Sequence, residues 1–306
     1  MRVFVTGATG HVGTAVTAEL LAAGHEVVGL ARTDASAAAL AGAGADVHRG
    51  ALDDLDSLRA GAASADGVIH LAYMHDFSDM AAASTADLRA VEAIGATLAG
   101  SGKPFVVTSG TLMLAIGRLG LPADRVATED DAPDPAWIAA PRVASEIATI
   151  ALAERGVRSS IVRLPPSVHG HGDVHGFVRR LIAIARETSV SAFVGDGANR
   201  WPAVDRLDAS RLFRLAVEAA PAGSRLHGTA DEGVAFADIA GVIGRQLGVP
   251  VVGITSDEAA DHFGFLGALA SADNPTSSAR TQQLLGWRPA RPGLLADLEL
   301  GHYFAD

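Results

Sequence analysis

The chain has no cysteine, a single lysine and only two tyrosines. Without cysteine it forms no disulfide, uses no thiolate nucleophile and binds no metal through sulfur. Its 35 acidic residues outnumber its 24 basic ones, so it lacks the basic surface that binds nucleic acids or anionic membranes. We therefore expect neither nucleic acid nor a membrane as a partner, and a small-molecule substrate instead.

Long apolar runs are also missing. No stretch reaches the length of a membrane-spanning helix, and the first strand-like run already begins at Arg2, which predicts that no signal peptide is present. We expect a cytoplasmic protein. The 306 residues suffice for one full α/β domain with a smaller lobe.

A glycine-rich turn directly follows the first apolar strand. Gly7 permits a sharp turn, Gly10 lets a pyrophosphate approach the backbone, and Gly13 lets the next helix pack against the sheet. That helix, from about His11 to Ala23, would direct its free N–H groups at the anion. The turn therefore predicts a dinucleotide site. Its expected contacts are Gly7, Thr9, Gly10, His11, Val12 and Gly13.

Strand-like and helix-like runs alternate through the first half of the chain. Strands are expected at 2–6, 26–31, 46–48, 67–71, 104–109 and 157–164, and helices at 12–23, 35–43, 54–63, 79–100 and 136–155. This alternation predicts an α/β fold, a Rossmann-type doubly wound parallel sheet with helices on both faces.

The alternation ends at Pro165-Pro166, where we expect a smaller C-terminal lobe that binds substrate. The predicted division is a dinucleotide-binding domain over 1–164 and a substrate lobe over 165–306, and segments near 200–228 are left open as returning to the first domain. Trp287 is expected in the core of the lobe. Helices are expected there at 175–187, 208–219, 235–247 and 276–285, and strands at 192–194, 225–228 and 251–254.

Several separated motifs resemble those of the extended short-chain dehydrogenase/reductases, the family that includes NAD-dependent epimerases and dehydratases. The motifs are the glycine turn, Ile69-His70-Leu71-Ala72, Val106-Val107-Thr108-Ser109, Arg163-Leu164-Pro165-Pro166-Ser167-Val168-His169-Gly170 and Leu285-Gly286-Trp287-Arg288-Pro289. The resemblance covers nearly the whole chain and implies a nicotinamide cofactor. Beyond the glycine turn, it implies cofactor contacts from Leu52, Leu71, Ala72, Thr108, Arg142, Pro165, Ser167 and His169.

The resemblance fails at the family's catalytic pair, a tyrosine followed four residues later by a lysine. Alignment through Glu146 places Ile138 and Arg142 at those positions, so the chain resembles an atypical member. Arg142 can hydrogen-bond a ribose, but neither residue gives up a proton at ordinary pH. Another group donates the proton, or the chain binds the cofactor without turning it over.

The candidates for catalysis are, besides Arg142, the polar residues that follow two strands. A phenol or imidazole can donate a proton, and a hydroxyl can hydrogen-bond a substrate carbonyl. The alternative is that the hydroxyls cap the strand end and that the others are ordinary loop residues. These candidates are Tyr73, His75, Ser109 and Thr111.

Arg32 ends the second strand, where NAD-specific enzymes place an acid against the ribose 2′-hydroxyl. A guanidinium there suits a 2′-phosphate, so we expect NADP as the cofactor rather than NAD. Asp34 nearby favours NAD instead. Asp53 stands one residue from an acidic position that the resemblance places beside the adenine.

Three functions stay open at this point. We favour NADPH-dependent reduction of a carbonyl or related polarised double bond in a small metabolite. The alternatives are a non-catalytic NADP-binding redox sensor and an epimerase or dehydratase with tightly bound NAD. No metal is expected, because the run His169, His171, Asp173 and His175 matches no familiar ligand spacing. The sequence is compatible with a monomer or a homodimer.

Overall fold

The computed structural model describes residues 1–74, 79–116, 125–134, 142–174 and 176–305. Along these residues the strands are β1 Arg2–Thr6, β2 Glu26–Ala31, β3 Asp46–Arg49, β4 Gly67–His70, β5 Pro104–Gly110, β6 Arg158–Leu164, β7 Ser167–His169, β8 Ser191–Val194, β9 Arg200–Asp205, β10 Ser224–His227, β11 Asp231–Ala235 and β12 Val251–Ile254.

The helices of the same residues connect these strands. None of the described helices is both long and apolar enough to cross a membrane. They are α1 His11–Ala22, α2 Asp34–Gly42, α3 Leu55–Ala63, α4 Met80–Leu98, α5 Leu112–Ile116, α6 Val143–Ala151, α7 Phe177–Thr188, α8 Arg206–Ala219, α9 Phe236–Leu247, α10 Ala259–Phe263, α11 Gly267–Ala270, α12 Ala279–Leu285 and α13 Leu294–Glu299.

The central sheet has seven strands in the order β10-β6-β5-β4-β1-β2-β3, and every neighbouring pair in it is parallel. Strand order reverses between β1 and β4, which makes the carboxyl ends of these strands the expected ligand crevice of an open α/β sheet. The predicted Rossmann-type doubly wound sheet is therefore confirmed.

Helices bury both faces of this sheet. On one face, Val16 and Leu20 of α1 pack with Phe213 of α8. On the other face, Leu58 of α3 and Ile94 of α4 pack in a second core. Strands buried on both faces read as continuous apolar runs, which is why the sequence predicted them.

Residues beyond β6 divide between the central sheet and a second lobe. Strand β10 pairs with β6, and α8 packs against α1, so the segment from Arg206 to His227 completes the central sheet. The second lobe contains a three-stranded sheet, β11-β9-β7, and the pair β12-β8. Its core includes Trp201, Phe236 and Tyr303.

Trp287 was expected in the core of the second lobe, and this prediction is wrong. The fully buried indole belongs to the core of the central sheet, where its Nε1 donates to the carbonyl oxygen of Asp208 at 2.9 Å. The chain returns to α8 after leaving the second lobe, a long-range path that no local pattern reveals.

The helix predicted over 136–155 is not continuous, because it is interrupted at Arg142. Arg142 has a left-handed backbone with φ of 66°, and α6 begins only at Val143. Residues 135–141, which include Ile138, lie outside the described part of the chain. The sequence also missed β7, β9 and β11, which are short and follow proline- or glycine-rich segments.

Candidate functional site

The glycine turn after β1 brings three backbone segments into close contact. Gly7 has φ of +69°, and a Cβ added to it would stand 2.7 Å from the backbone nitrogen of Ala72. A Cβ on Gly13 would overlap the carbonyl oxygen of Gly7. At Gly10 a Cβ would meet only the Gly7 oxygen, at 3.3 Å. The first two glycines are therefore required by packing, whereas Gly10 borders open space.

The N-terminus of α1 lies beside that open space. Gly10 caps the helix without a side-chain hydrogen bond, and no acidic residue lies in the first turn. Thr9 and Gly10 are exposed, whereas Val12 packs against the core. A helix N-terminus with exposed backbone and no competing carboxylate attracts an anion. The residues present thus fit a dinucleotide pyrophosphate.

His11 joins this turn to the segment after β6. Its Nε2 donates to the carbonyl oxygen of Val168 at 3.2 Å. Burial lowers the pKa of His11. The negative charge of Asp173 raises this pKa, and the positive charge of Arg206 lowers it. The imidazole is therefore neutral at physiological pH and serves as a contact between the two segments.

The carboxyl end of β4 is tied to the glycine turn by a buried polar chain. The hydroxyl of Thr6 is 2.8 Å from Nδ1 of His70 and accepts a hydrogen bond from the backbone N–H of Ala72 at 3.3 Å. The backbone N–H of Leu71 donates to the Thr6 carbonyl oxygen at 3.2 Å. Nε2 of His70 lies 3.3 Å from Oδ1 of Asp87.

Asp87, on α4, is a fully buried carboxylate. Burial alone would raise its pKa, but the hydrogen bond from His70 and the charge of Arg142 lower the pKa of Asp87 below its ordinary value. Asp87 was not among the predicted site residues, and His70 was named only within the motif at the end of β4. The sequence does contain a signal for each: Asp87 is a charged side chain on the apolar face of a helix, and His70 is an imidazole inside a buried strand.

The Arg142 side chain contacts groups of Thr108, Asp87 and Tyr73. Its Nη1 donates to the carbonyl oxygen of Thr108 at 2.6 Å and lies 3.8 Å from Oδ1 of Asp87. Its guanidinium carbon stands 4.2 Å from the ring centroid of Tyr73. The phenol oxygen of Tyr73 is 3.4 Å from the hydroxyl of Ser84. The structure thus brings together Tyr73, Thr108 and Arg142, which the sequence placed on separate segments.

The hydroxyls of Ser109, near the end of β5, and of Thr111, just after it, each have a hydrogen-bond partner. Ser109 donates to the sulfur of Met113 at 3.5 Å, and Thr111 accepts from the amide of Asn274 at 2.8 Å. Both are buried, which favours the alternative that they support the strand end. The hydroxyl of Thr108 is buried with no hydrogen-bond partner among the residues described. His75 lies outside the described residues.

The segment after β6 turns toward the second lobe. Pro165 and Ser167 are buried, and Nδ1 of His169 is 2.9 Å from Oδ2 of Asp297 on α13. This bond fixes one side of the imidazole against α13, and the buried Nε2 has no hydrogen-bond partner among the described residues, so His169 stays a predicted cofactor contact. In the described part of the chain, no group of three or more histidines and carboxylates could hold a metal ion, and His175 lies outside that part.

The ends of β2 and β3 carry basic side chains. Arg32 is exposed, and Arg49 forms an ion pair with Asp34. Leu52 is half-buried and packs against the second core, and Asp53 is exposed. The acid nearest Arg32 in sequence is therefore already engaged by a second arginine.

Comparison with known proteins places this geometry in a family. The model of the NAD dependent epimerase/dehydratase family matches residues 3–227. An uncharacterized protein of Schizosaccharomyces pombe is 48% identical over 305 residues, 99% of this chain and 100% of that protein. An uncharacterized protein of Saccharomyces cerevisiae is 43% identical over 304 residues, 99% of each chain.

Solved structures share the fold at low identity. The crystal structure of DesIV, a dTDP-glucose 4,6-dehydratase of Streptomyces venezuelae with NAD and TYD bound, has a TM-score of 0.77 at 18% identity. The match covers 99% of this chain and 98% of that one.

Proposed function

The chain belongs to the NAD dependent epimerase/dehydratase family, and from this premise we propose that it is an NADPH-dependent oxidoreductase that reduces a carbonyl or related polarised double bond in a small metabolite. One observation carries the proposal. An open, acid-free helix N-terminus lies at the switch point of the sheet, and the Tyr73–Arg142 pair lies at the neighbouring strand ends.

The residues that would hold the cofactor follow from the geometry. The turn at Gly7 and Gly10 and the N-terminus of α1 would take the pyrophosphate, and Leu71 and Ala72 would border the ribose side. The nicotinamide, when bound, supplies the hydride. The NAD in the dehydratase structure supports a nicotinamide cofactor for this chain.

The preference for NADP rests on Arg32. Its guanidinium is exposed at the end of β2, and the carboxylate of Asp34 is engaged by Arg49. A 2′-phosphate would find a charged planar donor there.

Tyr73 is the proposed proton donor. Tyr303, the other tyrosine, is buried in the second lobe, and burial raises its pKa above the ordinary value. Tyr73 stands at the carboxyl end of β4 under the guanidinium of Arg142, which holds the phenol in place by a cation–π contact. Its hydroxyl would protonate the substrate oxygen as the hydride arrives, so that charge does not accumulate.

Two other functions rest on specific observations. The absence of a tyrosine and lysine at positions 138 and 142 supports a redox sensor that binds NADP without turnover. The family match supports an epimerase or dehydratase with tightly held NAD, although those reactions also use the missing base.

The test combines binding with turnover. Purified protein is titrated with NADPH and NADH, and then a panel of small aldehydes and ketones and a panel of nucleotide sugars are assayed. We expect carbonyl-dependent NADPH oxidation, which Tyr73→Phe lowers by about 10²-fold or more with NADPH affinity retained. Thr85→Ala, at an exposed hydroxyl of the same helix that donates to the Ala81 carbonyl oxygen, is the matched control and should stay close to wild type.

The other outcomes identify the other functions. Tight NADPH binding without turnover of either panel would favour the sensor. Conversion of a nucleotide sugar without net NADPH consumption would favour the epimerase or dehydratase. Unchanged turnover in Tyr73→Phe would remove Tyr73 as the donor.

A further inference from the structure

A continuous chain of polar contacts leads from the glycine turn to Arg142. It comprises Thr6, His70, Asp87 and Arg142, of which the first three are fully buried. Its links measure 2.8 Å, 3.3 Å and 3.8 Å in that order. Thr6 directly precedes Gly7, so one end of the chain fixes the turn that would bind the pyrophosphate, and the other end fixes the guanidinium over Tyr73.

The donor and the acceptor are defined for the hydrogen bond between His70 and Asp87 and for the one between Ala72 and Thr6. A carboxylate only accepts hydrogen bonds, so the proton between Asp87 and His70 belongs to Nε2 of the imidazole. The N–H of Ala72 donates to Thr6 Oγ1 at 3.3 Å, and the same oxygen lies 2.8 Å from Nδ1 of His70. The imidazole of His70 is held between Thr6 and Asp87. Its ring cannot rotate without breaking a buried contact.

Arg142 is the member of the chain whose conformation needs support. It is one of two non-glycine residues with positive φ in the described ranges, and a long side chain disfavours that backbone. Its side chain contacts Thr108, Asp87 and Tyr73, and its carbonyl oxygen accepts from the N–H of Glu146 at the start of α6 at 2.9 Å. A buried carboxylate, in turn, requires a nearby cation. Asp87 and Arg142 therefore stabilise each other where each alone would be unfavourable.

We propose that Asp87 is a positioning residue, which holds Arg142 over Tyr73 and, through His70 and Thr6, couples the glycine turn to the Tyr73–Arg142 pair. The catalytic part of this inference rests on the proposed function, whereas the coupling is a property of the protein without cofactor. Binding at the turn and ordering of Arg142 then favour each other.

The test uses Asp87→Asn, which keeps an acceptor for His70 and removes the charge. Its matched control is Glu92→Gln, which neutralises an exposed carboxylate on the same helix. Amide hydrogen exchange is measured in the protein without cofactor. We expect exchange at 143–146 to be about tenfold faster in Asp87→Asn, because the start of α6 loses the support of Arg142, and to be unchanged in Glu92→Gln.

A double-mutant cycle separates positioning from general damage. If Asp87 acts through Arg142, Asp87→Asn should weaken NADPH binding and turnover by about tenfold in the wild type and by less than about twofold in an Arg142→Gln background. Additive effects of the two substitutions, or unchanged exchange at 143–146, would overturn the proposal. If the protein shows no turnover but the expected amide exchange and NADPH affinities, the proposed function is overturned and the coupling remains.

Thr6→Val provides a second variant at the other end of the chain, should Asp87→Asn not fold. It is close in shape and removes the hydroxyl that orients His70. Faster exchange at 143–146 is expected here too, because Thr6 is linked to that segment through His70, Asp87 and Arg142. Wild-type exchange in a folded Thr6→Val protein would overturn the coupling.

Discussion

At the scale of single residues, the site is marked by side chains whose local preferences are not met. Arg142 adopts a left-handed backbone, and Asp87 is a carboxylate in a buried layer. Each is explained by the other and by Thr108 and Tyr73. His169 stays a predicted cofactor contact, because its Nδ1 bonds Asp297 while its buried Nε2 has no hydrogen-bond partner among the described residues. The direction of a side chain is set by tertiary neighbours, which a motif does not contain.

Replacing Arg32 with alanine tests the cofactor preference. A charge-assisted contact to a 2′-phosphate contributes roughly 1.5–3 kcal/mol, so NADPH binding should weaken by about ten- to a hundredfold while NADH binding stays the same. Fluorescence titration with both cofactors measures this. Arg59→Ala, at an exposed arginine of α3 paired with Asp56, is the control. Equal losses for both cofactors in Arg32→Ala would contradict the assignment.

His227 predicts a pH dependence of stability. Nδ1 donates to the Ser277 carbonyl oxygen at 2.7 Å, and Nε2 accepts from Arg163 at 3.0 Å, so the imidazole is neutral. Burial, followed by the charge of Arg163, lowers the pKa of His227 to about 3. The unfolded chain binds a proton that the folded chain refuses, so stability falls as the pH falls from about 6.5 toward 3.

Urea unfolding between pH 4 and pH 7 measures that slope. His227→Gln keeps a donor and an acceptor and removes the titration, so its stability curve should be flatter than that of wild type by about 1.4 kcal/mol per pH unit at most. His171→Gln, at an exposed histidine, should leave the slope as it is. Parallel curves for wild type and His227→Gln would show that the imidazole is not buried in its neutral form.

At the scale of elements, local patterns predicted what local physics determines. Strands of the central sheet such as β1, β2 and β5 were predicted because they contain apolar runs, and the glycine turn was predicted because glycine permits the sharp turn after β1, where Gly7 has a positive φ. The prediction of a helix through Arg142 was wrong because its side chain contacts Thr108 and Asp87, which are distant in sequence. Of the candidate site, the turn and Tyr73 were accessible to sequence reasoning, whereas the chain through His70 and Asp87 required the packing of α4 against β4.

Gly10→Val tests the turn as an anion site. A valine side chain there would enter the open space beside α1 rather than the core, so we expect cofactor affinity to fall by more than a hundredfold while the melting temperature stays within a few degrees. Gly42→Val, at a glycine whose added Cβ meets nothing within 4 Å, should retain cofactor affinity. A folded Gly10→Val protein with normal affinity would place the cofactor elsewhere.

At the scale of the whole molecule, the central sheet and the second lobe are built from interleaved segments. The sheet is completed by β10, and its core includes Trp287, which follows most of the second lobe in sequence. The lobes are also joined by the bond from His11 to Val168. We infer that the dinucleotide-binding half depends on residues near the C-terminus for its stability.

Trp287→Ala measures that dependence. The indole is fully buried against the central sheet and donates to Asp208, so its removal should destabilise the protein by about 3–5 kcal/mol, with a lower melting temperature and weaker cofactor binding. Leu300→Ala, at a side chain that is 69% exposed, should change stability little. Loss of the second lobe alone, with the sheet of residues 1–164 still folded and binding cofactor, would contradict the dependence. Cooperative loss of both would show that the glycine turn is stabilised by an indole that enters the sheet's core from the far end of the sequence.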